Sequence, residues 1–276
     1  MKPAARLLAA AVLLLAPQTA FAQQSGEPVP SKCVAIAQAL PKVTFASYTP
    51  APLQAQAFVD GDVTISYAGH STYVIQTPGG VRVATDFSGH YGSDPLPRVV
   101  TMNKAHRTHY TDMPDARIEH VLRGWNPQGG GPAEHRLVVD DLYVRNVPTD
   151  IRLRGDGMER DGNSIFIFEV AGLCIGHLGH LHHDLTDAHY GAIGRLDIVM
   201  VPIDGGMTQS VANMSAITDR LYSSIVLPMH RHSTPLGEFL SRMGEGFAVD
   251  YRQERSFKVS LRSLPRRPTI LVLQGV

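Results

Sequence analysis

Charge of a single sign, cysteine and long apolar runs are what this chain has least of. Its 25 Lys and Arg balance 25 Asp and Glu, and the two signs are intermixed along the 276 residues. That balance excludes the basic face nucleic acid requires and offers no attraction to an anionic membrane surface. Cysteine is limited to Cys33 and Cys174, too few for a disulfide-built framework. The two thiols either pair, tying an N-terminal arm to an interior strand, or stay separate with Cys174 buried in Gly172-Leu173-Cys174-Ile175-Gly176. Both arrangements are open at this point. The apolar stretch Leu7–Leu15 is too short to cross a bilayer. With Lys2 and Arg6 before it and Ala20-Phe21-Ala22 after it, the stretch reads as a cleavable secretion signal. A mature chain beginning near Gln23 is therefore expected in the periplasm or outside the cell, without membrane insertion. Pro30-Ser31-Lys32 ahead of Cys33 is not a lipid-attachment context.

The remaining length suits one large domain with a substantial core. The chain divides into the signal at 1–22, a Pro- and Gln-rich arm at 23–58 with a short helix around 34–40, and a single domain at 59–276.

Histidine is what the chain has in quantity. There are 13, and His177, His180, His182 and His183 fall within seven residues. Imidazole is the commonest side-chain ligand for zinc, iron, copper and nickel, and at neutral pH it keeps a free lone pair. Taken alone, the cluster also fits a solvated polar loop, and its four rings cannot all face one ion from a single turn.

Strand signals follow one another from Val63: 63–67, 72–76, 81–85 and 98–102, the second and third joined by the hairpin signal Pro78-Gly79-Gly80. Further strands are predicted at 137–139, 142–147, 164–170 and 173–175. The pattern then alternates. A strand at 197–202 leads to a helix on which Val211, Met214, Ile217 and Leu221 recur at helical spacing. A strand at 224–229, a helix at 236–243 and strands at 257–261 and 269–273 complete the chain. Antiparallel-type strands followed by strand–helix alternation predict a layered α/β protein with two sheets. His70, His106 and His109, the 177–183 cluster, and His230 with His232 each follow a strand. Strand ends set side by side would carry these loops to one rim.

At these residues the chain resembles the metallo-β-lactamase superfamily, in particular the branch of ascorbate-6-phosphate lactonase-like and related metal-dependent hydrolases. Ile65-Ser66-Tyr67-Ala68-Gly69-His70-Ser71-Thr72 is similar to that branch's strand followed by Gly-His-Ser. Val83-Ala84-Thr85-Asp86 resembles its apolar strand ending in an Asp that braces the site, and Val226-Leu227-Pro228-Met229-His230 its closing strand with the last metal-binding histidine. The resemblance implies a four-layer αββα sandwich of two mixed β-sheets flanked by helices. It also implies a hydrolase acting on a small molecule.

The family's His-x-His-x-Asp-His signature is altered here. Laid without gaps on the loop after the fourth strand, its four ligand positions fall on Lys104, His106, Thr108 and His109. The family's mid-chain histidine falls near Thr149, its bridging aspartate on His180, and its final histidine on His230. The ligand set the resemblance implies is therefore His106, His109, His180 and His230, with His70, His177 and His183 as further ligands or as rings behind them. Loss of two carboxylates and gain of Lys104 argue against two adjacent dications, whose repulsion is of order several kcal/mol at an effective dielectric near 20. One zinc, or another first-row metal, on three or four imidazoles is expected. Its chemistry would be Lewis-acid activation of water against an ester, lactone, amide or phosphoester. Asp86, Asp112 and Asp204 are candidates to orient that water. Lys104 is a candidate to neutralise an oxyanion or a substrate carboxylate, or else to form a plain salt bridge. His120, His135 and His189 read as ordinary structural residues. Two other readings stand beside hydrolysis: a catalytically degenerate protein that binds a small ligand in the old cleft, and a metal-handling protein working through the 177–183 cluster.

Overall fold

The computed structural model describes residues 31–34, 61–153 and 157–276. The signal at 1–22 and, apart from Ser31–Val34, the arm and its short helix lie outside the described residues.

Alternation builds the first sheet. In β1 (Val63–Gly69) burial switches residue by residue, with Val63, Ile65 and Tyr67 turned inward. It pairs antiparallel with β2 (Thr72–Gln76), which pairs antiparallel with β3 (Arg82–Ala84). The turn between β2 and β3 is held by Asp141, which accepts from Thr77 Oγ1 and Gly79 N. Parallel neighbours β4 (Val99–Met102) and β5 (His120–Arg123) extend this sheet to one side.

The second sheet starts with β6 (Arg136–Val139) and the long antiparallel hairpin of β7 (Leu142–Arg152) and β8 (Met158–Val170). After β9 (Leu173–His177) come the short helix α1 (Asp187–Ile193), β10 (Ile198–Pro202), α2 (Val211–Leu221), β11 (Ile225–Met229) and α3 (Leu236–Met243). Then β12 (Ala248–Tyr251), β13 (Ser256–Val259) and β14 (Thr269–Val272) close the chain. The strand orders are β13-β1-β2-β3-β4-β5 and β12-β14-β11-β10-β9-β8-β7-β6. Both sheets are mixed, as expected.

Ile65, Ile75 and Val83 of the first sheet share the central core with Phe166, Phe168, Ile175, Met200 and Leu227 of the second. Each such buried side chain contributes about 1.5–3 kcal/mol of hydrophobic stabilisation. The other face of the second sheet packs Val199, Val201 and Val226 against Met214 and Ile217 of α2 and Phe239 and Met243 of α3. Strand β10 is buried on both faces, which is why it reads as an unbroken apolar run. On the outer face of the first sheet, Val74, Val100 and Met102 are covered by Phe87, Leu96, Ile118 and Trp125 from loops. No helix covers that face among the described residues.

Three elements carried no usable local signal: β5, α1 and β12. The first has only four residues and is a strand because β4 pairs with it, a non-local cause. Cys33 and Cys174 are bonded, which settles the choice left open above. Beside the bridge, Arg195 N donates to Cys33 O and Lys32 N donates to Glu169. The nearly buried Arg145 also pairs with Glu169 and gives two N–H bonds to the carbonyls of Ala192 and Ile193, capping the end of α1.

Candidate metal centre

Every histidine of interest sits at or just past the C-terminal end of a strand. The turn between β1 and β2 carries His70, and the loop after β4 carries His106 and His109. His180 follows β9 and His230 follows β11. Two carboxylates arrive the same way, Asp86 after β3 and Asp204 after β10. Three of these residues, His70, Asp86 and His230, hold left-handed backbone conformations with φ of 54°, 44° and 50°. Such conformations are costly for side-chain-bearing residues and persist where the surroundings over-determine them. Here His230 N donates to His70 O at 2.9 Å, joining the ends of the two sheets.

The rings of His106, His109, His180 and His230 converge, with centroid separations of 4.4–5.6 Å. Imidazoles sharing one ion through bonds of about 2.0–2.1 Å in a tetrahedral arrangement have centres roughly 5 Å apart. The Nε2 atom of each of the four rings is buried and has no hydrogen-bond partner within the protein. Buried polar atoms are ordinarily paired, so four orphans around one space call for a group between them. His70 also belongs here: with His106, His109 and His230 it offers ligand atoms all within 4.8 Å of one another. The residues present therefore fit a metal cation.

The other side of each ring is well held. His109 Nδ1 lies 2.7 Å from Asp86 Oδ2, and His230 Nδ1 lies 2.9 Å from Asp204 Oδ2. Asp86 also accepts from Asn103 Nδ2 at 2.9 Å, and Asn103 Oδ1 accepts from Ser164 N at 2.8 Å. The Asp204 carboxylate further accepts from the backbone N–H of Gly206, Met207 and Thr208 and from the Thr208 hydroxyl. Thr108 Oγ1 lies between His106 Nδ1 (2.7 Å) and His70 Nε2 (2.9 Å).

Electrostatics follows from this packing. Burial by itself would raise the Asp86 carboxyl, but neighbouring His177 and His109 and the hydrogen bonds from His109 and Asn103 hold it down at about 2. Asp204 is likewise lowered despite burial, by the bonds from His230 and from the turn at Thr208. Burial and the neighbouring rings push His70 down to about 3 and His106 to about 4, and they lower His180 as well. The His109 ring is lowered by burial against the pull of Asp86. At neutral pH these four imidazoles are uncharged, and two buried anions sit behind the cluster. That is a site of net negative charge lined by lone pairs or N–H groups.

Other candidates from the sequence stand elsewhere. Asp86 is fully buried behind His109 and does not face the central space. Asp112 lies at the surface, 68% exposed, with Arg107 its nearest cation at 3.9 Å. Asp112 is not among the residues whose ligand atoms gather with the histidines. Lys104 forms a 2.6 Å salt bridge with Glu159. His177 is buried with both ring nitrogens used, donating to Ser71 O and accepting from Gly179 N. His183 accepts from Asp150 N and donates to Asp184 O, away from the cluster. Thr149 is buried and hydrogen-bonded to Asn163. His232 is exposed. Sequence reasoning gave no part to Asn103 and none to Thr108 beyond a lost ligand. It also did not assign His182 a contact with His180. Asn103 reaches Asp86, Thr108 bridges to His70 and His182 takes the N–H of Arg152, contacts between distant segments that no local pattern marks.

A groove of about 490 Å³ is lined by Trp125, Asn126, Gly129 to Gly131, Glu159 and Arg160. Glu159, the salt-bridge partner of Lys104, is part of its wall.

A family model described as the beta-lactamase superfamily domain matches residues 64–230. The chain belongs to the metallo-β-lactamase superfamily. No curated protein matches its sequence. Among solved structures it is similar to a candidate zn-dependent hydrolase of the metallo-beta-lactamase superfamily from Thermotoga maritima, with 23% identity and a TM-score of 0.53 over 76% of this chain and 98% of that one. It is also similar to a candidate metal-dependent hydrolase from Parabacteroides distasonis, with 16% identity and a TM-score of 0.54 over 67% and 90% of the two chains. A metallo-beta-lactamase fold protein from Bacillus subtilis shows 8% identity and a TM-score of 0.50 over 78% and 98%. These likenesses establish the shared fold.

Proposed function

We propose that the chain is an exported, single-metal hydrolase of small molecules. A first-row cation, zinc in the first place, is held by His106, His109 and His230, with His180 and His70 facing the same space. One observation carries this reading: four rings from three separate loops converge, and the buried Nε2 atom of each has no hydrogen-bond partner within the protein. A bound cation supplies Lewis-acid activation, bringing the pKa of water toward about 7 for attack on an ester, lactone, amide or phosphoester. The protein's part is orientation and charge. Asp86 and Asp204 fix the rings of His109 and His230 so that Nε2 faces the site. Their two negative charges offset a dication without touching the reacting groups. Lys104 and Thr149, where the resemblance places two of the histidines of the family's two-metal set, are engaged with Glu159 and Asn163. This supports one ion rather than two. The groove at Trp125, lined by Arg160 and by Glu159, the partner of Lys104, is the candidate place for the body of the substrate. Export is supported by the Cys33–Cys174 bond, which suits an oxidising compartment.

Elemental analysis of the full-length product recovered from the periplasm or medium tests the reading, alongside the His106→Ala and His230→Ala variants. About one metal per chain is expected in the parent and a large loss in both variants, together with lost turnover on a panel of lactones, esters and phosphodiesters. A parent protein without stoichiometric metal overturns it in favour of a ligand-binding role. Reversible binding of several ions favours metal handling.

A further inference from the structure

Each ring nitrogen in the cluster can be given or denied a proton from the partner of the other nitrogen. For His109 and His230 the nearest partner is a carboxylate, which only accepts; the Ser71 hydroxyl, 3.1 Å from His109 Nδ1, can accept the same proton. Their protons sit on Nδ1, and Nε2 turns a bare lone pair into the site. His106 reaches the same state without breaking a bond. Its Nδ1–H donates to Thr108, and the Thr108 hydroxyl donates to His70 Nε2.

His180 is built the other way. Its Nδ1 faces His182 Nε2 at 2.9 Å. His182 Nδ1 lies 2.7 Å from the backbone N–H of Arg152, a group that can only donate. That nitrogen is therefore bare, and the neutral His182 ring carries its proton on Nε2. There the proton lies between Met207 O, at 2.6 Å, and His180 Nδ1. A proton on His180 Nδ1 would meet it head on. His180 thus accepts at Nδ1 and holds its own proton on Nε2, which is buried and without a partner, in a ring whose centre lies 4.7–5.1 Å from those of His106, His109 and His230. Gly179 fixes the ring's approach. It adopts φ of 62°, and a Cβ there would lie 2.4 Å from Asn103 Nδ2 and 2.7 Å from Asn163 Oδ1. His180 N itself donates to Asn163 Oδ1 at 2.8 Å.

We propose that His180, set by the relay from Arg152 N–H through His182, is a hydrogen-bond donor in the site and not a metal ligand. It rests on the single-metal reading above and assigns the roles within it. The cation keeps the three lone pairs of His106, His109 and His230, and the His180 N–H is directed at an acceptor oxygen of the substrate. That oxygen is the carbonyl or phosphoryl oxygen on which negative charge develops during attack. A donor placed in advance at such an oxygen, in a site shielded from water, lowers the barrier without forming any bond.

The experiment is nuclear magnetic resonance on the folded, ¹⁵N-histidine-labelled protein loaded with ¹¹³Cd. Resonances are assigned from single-histidine variants, with long-range ¹H–¹⁵N correlation reading each tautomer. The expected result is cadmium–nitrogen coupling at Nε2 of His106, His109 and His230, none at His180, and a protonated Nε2 on His180. A coupling at His180 Nε2 overturns the proposal and leaves the metal reading standing. No coupling at any histidine overturns the metal reading and this proposal with it. Two variants give a second readout. His180→Gln, which keeps an amide N–H, and His180→Phe should both retain about one cadmium per chain. On the best substrate of the panel, kcat should fall by about 10²–10³ in the phenylalanine variant and recover in part in the glutamine variant. Folded variants that both lose the cadmium overturn the assignment.

Discussion

Changing Asp86 to asparagine replaces one buried oxygen by an amide NH₂ and keeps the shape, so its consequence can be followed atom by atom. Asn103 cannot turn over to suit the new side chain, because its Oδ1 accepts the Ser164 N–H at 2.8 Å and its Nδ2 bonds the Ser164 carbonyl at 3.3 Å. It keeps presenting an N–H at the 2.9 Å contact with residue 86. The new amide must put its oxygen there and its NH₂ toward His109 Nδ1, now 2.7 Å from Asp86 Oδ2. Two donors cannot face each other at that distance. His109 gives up the Nδ1 proton and takes one on Nε2, turning an N–H where a lone pair had been. Loss of such an orienting partner costs about 10–100-fold in metal affinity, or about 1.4–2.8 kcal/mol, and the upper end is expected because a whole lone pair is withdrawn. The fold loses less. Charge-assisted bonds of about 1.5–3 kcal/mol give way to neutral ones of about 0.5–1.5, while the desolvation of a buried anion is relieved. Competition of zinc between the variant and a chelator of known affinity measures the first effect, and thermal melting of the metal-free protein measures the second. Affinity within twofold of the parent, in a folded variant, would refute the reasoning that Asp86 sets the His109 tautomer.

Other consequences follow from the same geometry. Burial and neighbouring rings lower His106 to about 4 and His70 to about 3 from an unfolded value of 6.5. Depressed folded values mean the stabilisation is complete above 6.5 and is lost as pH falls toward 4. The melting temperature of the metal-free protein should decline across that window, and Asp86, held at about 2, extends the decline at lower pH. A flat profile from pH 7 to 4 would contradict neutral rings at these positions. Cys33→Ser opens a bridge between residues 141 apart and should cost about 2–5 kcal/mol in urea unfolding; no loss would mean the arm contributes nothing to the folded state. Gly179→Ala forces a side chain onto Asn103, Asn163 and the Ser164 carbonyl at a left-handed backbone position. A loss of about 1–3 kcal/mol is expected, with the His180 resonances displaced; a variant as stable as the parent would show that the loop relaxes freely.

Much of the architecture was legible because its causes are local. The alternation of Val63 to Gly69, the helical spacing of Val211, Met214, Ile217 and Leu221, and the apolar run of Ile198–Pro202 each report their own environment. A histidine after each of several strands also pointed to one rim, since parallel strands end on the same side. What the chain could not reveal by itself is which nitrogen of each ring carries a proton. That is decided by partners 23 to 30 positions away: Asp86 for His109, Asp204 for His230 and the backbone of Arg152 for His182. The sequence also left Cys33 and Cys174 undecided between pairing and isolation, and made Asp112 as eligible as Asp204 to serve the site. Periodicity records whether a residue faces core or water, because that depends on its neighbours along one element. Which atom meets which across two sheets depends on how the loops at the strand ends fold back, and only the assembled structure holds that information.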